Sequence, residues 1–354
     1  MTSKGIPFYY HPDFASYDFG PTHPFQGTRF GGFMRELEDR FPDVNKKLDI
    51  RIPETADDEL LLLAHTQEYI DRVRLLEMRS GYLSPDTQVL PGSVDAARLI
   101  VGASVAVVRA AVESGLSIGF GGLHHAGPDY GEGFCIFNDI AVAVMVLLDE
   151  GLNRIVVLDT DAHQGNGTMD IFYYDPRVLF ISLHQDPLTL YPGRGFAHET
   201  GAGKGEGLTV NIPMPVFADR EAYDVAMSEV VFPIIEEFEP EIIIRNGGSD
   251  PLSTDILTNL GLDLESLTAL NRSIAEKARS MGIPLADLFL SGYGPYVTEG
   301  WLAILRGILG EDMPIHIPSE EEIDIPQRRE RIDASMRRTL DELAGFLAPY
   351  WQVF

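Results

Sequence analysis

The stretch VVLDTDAHQGNGT, residues 156–168, runs from apolar residues into Asp159, Asp161 and His163, and then into glycines. Alternate residues of an extended chain share a face, so these three side chains can point the same way. Two carboxylates crowded at a strand end repel each other, and a cation between them relieves the repulsion. Asp250, at the end of another apolar run, joins Asp161 and His163 in a carboxylate–imidazole–carboxylate set. That set suits a divalent ion, Zn2+ or Fe2+, with a position left open for water. Two anionic ligands acidify bound water less than three neutral imidazoles do, so a separate general base is needed. His124 and His125 supply imidazoles that titrate near neutral pH. Asp159 and Asn166 are the nearest polar partners in sequence, one for each histidine. Tyr293 can donate its phenol proton to a developing oxyanion. Together these groups describe hydrolysis of an amide.

Such groups act only if the chain brings them together. Apolar runs at 116–122, 154–160, 178–184, 208–213, 241–247 and 285–292 read as strands. Helical patterns fall at about 94–114, 138–150, 220–238 and 263–281. Continuous apolar strands alternating with helices predict an α/β fold with a parallel sheet covered on both faces. Ligands of such sheets bind beyond the carboxyl ends of the strands. His124 and His125, Asp159 to His163, Asp250 and Tyr293 each follow one of these runs. Taken singly, each has a plain structural reading; their shared placement at strand ends argues for chemistry. The first 60 residues read as loops and short elements. From Pro318 the tail carries Ile332, Met336, Leu340, Leu343 and Phe346 at helical spacing, a stripe for the chain's own core or for a subunit contact. The expected organisation is a catalytic domain over 1–317 and a helical extension over 318–354.

The chain has 354 residues and a formal net charge of −27. Such acidity repels nucleic acid and anionic membrane and attracts cations, besides keeping a protein dissolved. Cys135 is the single cysteine, so neither an internal disulfide nor a cysteine zinc knuckle is possible. No apolar run approaches a membrane span, and the expected location is cytoplasmic. GAGKGEG at 201–207 lacks the first glycine and the hydroxyl residue of a phosphate loop and reads as a mobile loop. His11, His23, His65, His184 and His198 show no ligand spacing and read as structural.

GGLHHAGPDYGEGFCIFNDIAVA (121–143), LDTDAHQGNGT (158–168), FISLHQDPLTLYPG (180–193) and NGGSDPL (246–252) resemble the zinc-dependent histone deacetylases. That family includes the acetoin-utilization proteins and the acetylpolyamine amidohydrolases. The resemblance extends from residue 17 to about 310. It implies the arginase/deacetylase fold, a single α/β domain around an eight-stranded parallel sheet. It implies zinc on Asp161, His163 and Asp250, with His125 as general base beside His124 and Tyr293 as the catalytic tyrosine. It places Phe134, Gly133 and Tyr191 along an acyl-lysine tunnel with Cys135 at its foot, Leu257 at its mouth and Asp86 on its rim. It also implies structural potassium at Asp159, Asp161, His163, Ser182 and Leu183, and a second potassium held by carbonyls of Phe172, Asp175, Val178 and Leu208.

Three departures bear on substrate choice and on the setting of Tyr293. Gln164 stands where the family has a second histidine, GGSDPL replaces a metal aspartate followed by Ala-His, and SGYGP has one glycine before the tyrosine. The activity implied is deacetylation of an acetylated amine, a protein lysine or a small acetylpolyamine, with a cationic substrate expected from the acidity. A homo-oligomer is compatible with the tail stripe. The alternative is a catalytically weak acyl-ligand binder. A two-metal ureohydrolase is disfavoured, because SDPLSTD offers no Asp-x-Asp for a second ion.

Overall fold

The computed structural model describes residues 5–317 and 327–354. The expected start of the C-terminal extension, at 318, lies outside the described residues. Among the described residues, ten strands occur in chain order: β1 Ile6–Tyr9, β2 Leu48–Arg51, β3 Tyr82–Ser84, β4 Thr87–Gln88, β5 Leu116–Phe120, β6 Ile155–Asp159, β7 Val178–Gln185, β8 Thr209–Met214, β9 Ile242–Gly248 and β10 Leu285–Ser291. Eight form one sheet in the order β2-β1-β5-β10-β9-β6-β7-β8, and β3 and β4 form a small separate ribbon. Every pairing in the large sheet is parallel. Each of the six apolar runs is a strand, its ends moved by one or two residues.

Within the large sheet, β1 and β2 are the strands that the apolar pattern did not show; the small ribbon of β3 and β4 was not shown either. β1 and β2 are four residues each, too short for periodicity to register. Aromatic packing fixes the first: Phe8 lies 5.5 Å from Phe120 and 6.2 Å from Phe33, centroid to centroid. The helix Thr28–Arg40 also went unread, because Gly31-Gly32 interrupts its pattern, yet Phe30, Phe33 and Leu37 line its buried face. The pattern at 220–238 is two α-helical pieces joined by a π turn, Met227–Val231. Pro233 explains the turn, since it has no N–H and its ring would strike the carbonyl four residues back.

The helix Arg328–Leu347 lies along β8. Ile332, Met336, Leu340 and Leu343 are buried, whereas Phe346 is half exposed and Leu347 takes the inward place. Thr339 Oγ1 donates to the carbonyl of Pro213 at 3.1 Å, and Trp351 Nε1 to that of Gly207 at 2.7 Å. The loop at 201–207, expected to be mobile, is tied down: Ala202 N donates to Tyr173 O at 2.9 Å, and Gly207 N to Thr200 O at 2.7 Å. No helix among the described residues is long and apolar enough to cross a membrane.

Candidate active site

β5, β10, β9 and β6 are consecutive in the sheet, and the segments that follow them carry the three candidate ligands, the histidine pair and Tyr293. Asp159 ends β6, opposite Asn246 on β9 and Ser182 on β7. Beyond it, the chain turns so that Asp161 and His163 face Asp250, which follows β9. One ligand atom from each of these three lies within 4.8 Å of the others. His163 Nδ1 is 3.1 Å from Asp161 Oδ1 and 3.0 Å from Asp250 Oδ2. Asp250 Oδ1 accepts from Ser291 Oγ at 2.8 Å, which turns the other oxygen toward His163.

Burial and mutual charge set the ionisation of these groups. Burial opposes charge on Asp161, yet the His124 and His163 imidazoles hold its pKa well below the usual carboxylate range. Burial and the Asp161 charge push Asp250 well above that range. A single proton on His163 Nδ1 serves two carboxylates poorly. A divalent ion satisfies all three donors at once, so the set fits such an ion by number, type and burial.

The two adjacent imidazoles have different partners. His124 Nδ1 is 2.7 Å from Asp159 Oδ2, and His125 Nδ1 is 2.7 Å from Asn166 Oδ1. Burial disfavours charge on His124, but Asp159 and Asp161 outweigh it and hold the ring at about 9. His125 lacks a carboxylate partner; burial, then the charge of His124, drives it well below the ordinary histidine value. The carboxylate beside one imidazole thus raises its pKa, while the adjacent imidazole, paired with an amide, is lowered.

Neighbouring backbone holds the pair. Asp139 is fully buried and accepts from Leu123 N at 2.6 Å and Gly122 N at 3.0 Å. Asn138 caps the helix Asp139–Asp149 and donates from Nδ2 to the carbonyl of Ala126 at 2.9 Å. His65 Nε2 accepts from Asn138 N at 2.9 Å, a structural role. His184 is also structural, bridging Ser182 Oγ and the carbonyl of Gly195 at 2.8 Å each.

Tyr293 is 8% exposed, edge-on to Phe134 at 5.7 Å and to His163 at 6.1 Å. Burial, then the Asp161 and Asp250 charges, raises its phenol well above 10, so it stays a donor. Tyr191 packs edge-on to His125 at 5.2 Å. Gly133 and Phe134 have φ of +58° and +65°, and a Cβ at 133 would collide with the His125 ring. A narrow pocket lined by His124, His125, Phe134, Cys135, Asp161 and Tyr293 results. Asp86 Oδ1 is engaged by Ser84 Oγ, by Thr87 Oγ1 at 2.9 Å and by Gly133 N at 3.3 Å, so it shapes the turn that presents Phe134. Leu257 is partly buried and lies outside that pocket lining.

Asp255 and Arg29 were not read from the sequence. Asp255 accepts from Tyr293 N at 2.6 Å and from Leu257 N at 2.8 Å, and burial raises its carboxyl to about 6. Arg29 donates to the carbonyls of Gly292 at 2.8 Å and Pro24 at 2.9 Å. Both hold the Tyr293 loop through backbone atoms. Asp255→Ala is therefore expected to lower kcat about tenfold with little change in KM, the usual scale for a lost orienting partner. Steady-state kinetics check this, and an unchanged kcat removes the positioning role.

The family model for the histone deacetylase domain matches residues 23–308. A probable deacetylase of Archaeoglobus fulgidus is 33% identical over 362 residues, covering 98% of each chain. The acetoin utilization protein AcuC of Bacillus subtilis is 35% identical over 337 residues, covering 88% of this chain and 84% of that one. The crystal structure of the HDA15 HD domain superposes with a TM-score of 0.84 at 24% identity, covering 98% of this chain and 97% of that one. That last likeness bears on the fold alone.

Proposed function

Because the chain belongs to the histone deacetylase family, we propose that it is a zinc-dependent hydrolase of linear N-acetylated amines. One observation carries the reading: a buried Asp161–His163–Asp250 donor set lies beside His124 paired with Asp159, His125 paired with Asn166, and the Tyr293 ring. Asp161, His163 and Asp250 would hold the zinc, which when bound would supply carbonyl polarisation and acidification of water. Fe2+ is accommodated by the same donors.

The protein groups divide the remaining work. With its Nδ1 proton on Asn166, His125 presents a bare Nε2 that takes the proton of the attacking water. His124, held protonated by Asp159, stabilises the negative charge that builds nearby and does not compete as a base. Tyr293 donates to the carbonyl oxygen as it becomes an oxyanion. The imidazole pair then returns a proton to the departing amine, and acetate and free amine result. Phe134 and Tyr191 suit a slim apolar stem, with Gly133 leaving room for the His125 ring.

Potassium at Asp159, Ser182 and the carbonyls of Asp161, His163 and Leu183 would offset the Asp159 charge behind His124. Phe172, Asp175, Val178 and Leu208 would hold a second ion. Asp159 and Ser182 are register partners on β6 and β7, so the first set is contiguous.

The net charge of −27 favours substrates carrying positive charge away from the acetyl group, such as acetylpolyamines or lysines in basic peptides. The ratio of specificity constants, cationic over neutral acetyl substrate, is expected to fall as salt approaches 1 M, where the Debye length is about 3 Å. A ratio insensitive to salt leaves the tunnel as the source of selectivity. Salt is a cleaner probe than Asp86→Asn, since Asp86 also braces Gly133. A turnover screen across acetyl-lysine peptides, acetylpolyamines and other acylated amines tests the reading as a whole; no hydrolysis of any of them by zinc-loaded protein would favour the acyl-ligand binder.

A further inference from the structure

We propose that Glu132 is a positioning residue that fixes which nitrogen of His125 carries the proton, acting through the side-chain amide of Asn166. The inference rests on His125 being the general base.

Asn166 Oδ1 is 2.7 Å from His125 Nδ1, and Asn166 Nδ2 donates to Glu132 Oε1 at 2.7 Å. Tyr130 Oη lies 3.3 Å from the same Nδ2. The Tyr130 proton is committed elsewhere, to Asp170 Oδ2 at 2.6 Å. Asp170 is in turn gripped by Arg194 at 2.8 and 2.9 Å. Two acceptors therefore face one end of the amide, and the nearer is a carboxylate.

An amide is almost symmetric in shape and opposite in role at its two ends. With Nδ2 turned to Glu132, Oδ1 must face His125 and accept its Nδ1 proton. Nε2 is then bare and can take a proton from water. Turned around, Oδ1 would face a carboxylate and a committed phenol oxygen. Nδ2 would face His125 Nδ1 and pair with it only if that nitrogen were unprotonated. The ring proton would then sit on Nε2, where it blocks the base. Glu132 decides between these two arrangements.

His124 needs no such device. Asp159 presents two acceptor oxygens, so either end serves the same purpose. The requirement for a lock arises only where the partner is an amide.

Four variants of the zinc-loaded protein test this, read by kcat, KM and zinc content on one acetylated substrate. Glu132→Ala should lower kcat about 10- to 100-fold, the usual loss for an orienting partner, with zinc content and KM close to the parent's. Glu132→Gln keeps an acceptor oxygen and should retain more activity than Glu132→Ala. Asn166→Asp alone should also lose activity, because a second carboxylate would face Glu132. The double variant Glu132→Ala/Asn166→Asp should recover kcat over Glu132→Ala above neutral pH, since a carboxylate has no wrong end but raises the pKa of the ring it faces, as Asp159 does for His124. A double variant no faster than Glu132→Ala at any pH overturns the proposal, as does a Glu132→Ala enzyme with the parent's kcat. A loss confined to KM for cationic substrates overturns it too, assigning Glu132 to the rim. His125→Ala separates the underlying reading: if it still turns over, the general-base assignment fails whatever Glu132 does.

Discussion

Asp250→Ala is expected to purify folded, without stoichiometric zinc and without measurable turnover. Asp250 is fully buried, and its Oδ2 is one of three atoms positioned for an ion. Its loss leaves one carboxylate and one imidazole, too few to hold a hydrolytic zinc. The fold should tolerate the change, because burial raises the Asp250 carboxyl and removing it relieves a desolvation cost. Asp161→Ala should behave alike. Elemental analysis after dialysis reads the outcome, with circular dichroism as the control for folding. Full zinc occupancy in either variant would sink the ligand assignment.

Tyr293→Phe and His125→Ala are expected to keep zinc and to lose two or more orders of magnitude in turnover, roughly the range for an oxyanion donor or a general base. The tyrosine change removes one oxygen from a ring packed against Phe134 and His163, so the pocket wall stays in place. The histidine change removes the bare nitrogen and leaves His124 on Asp159, whose carboxylate raises that ring's pKa and makes it less available as a base near neutral pH. If Tyr293→Phe turns over like the parent, the SGYGP stretch has been misaligned and Tyr296 is the next residue to replace.

The sequence revealed the parts of the site whose chemistry is carried by side chains close to one another along the chain. Asp159, Asp161 and His163 sit two apart. The strand ends at Asp159, and the turn beyond it brings Asp161 and His163 to Asp250 while Asp159 faces His124, so the extended-strand reading found the residues but not their arrangement. Asn166 lies 41 residues from His125 yet was legible, because an imidazole pair needs two polar partners and few were near. Asp255 was not legible. It acts on the backbone N–H of Tyr293, 38 residues away, and a backbone donor leaves no mark on residue type. Arg29 was hidden for the same reason, since its acceptors are carbonyls. In the fold, the six longer sheet strands were visible from apolar content. β1 and β2 were not, because aromatic contacts from distant elements, and not local periodicity, place a four-residue strand.

The C-terminal helix also bears on how copies of this chain can associate. A sheet grows when a second strand meets unpaired backbone at its edge. At one end of this sheet, β8 lies beneath the helix Arg328–Leu347, and the Pro213 carbonyl is already taken by Thr339. Pro213 itself has no N–H to offer. At the other end, β2 is four residues long and carries a paired Asp49 and Arg51, 2.8 Å apart. Short length and charge both discourage strand addition there. Continuation of the sheet from one copy into the next is thus covered at one margin and disfavoured at the other, which leaves helices and loops as the better surfaces for assembly.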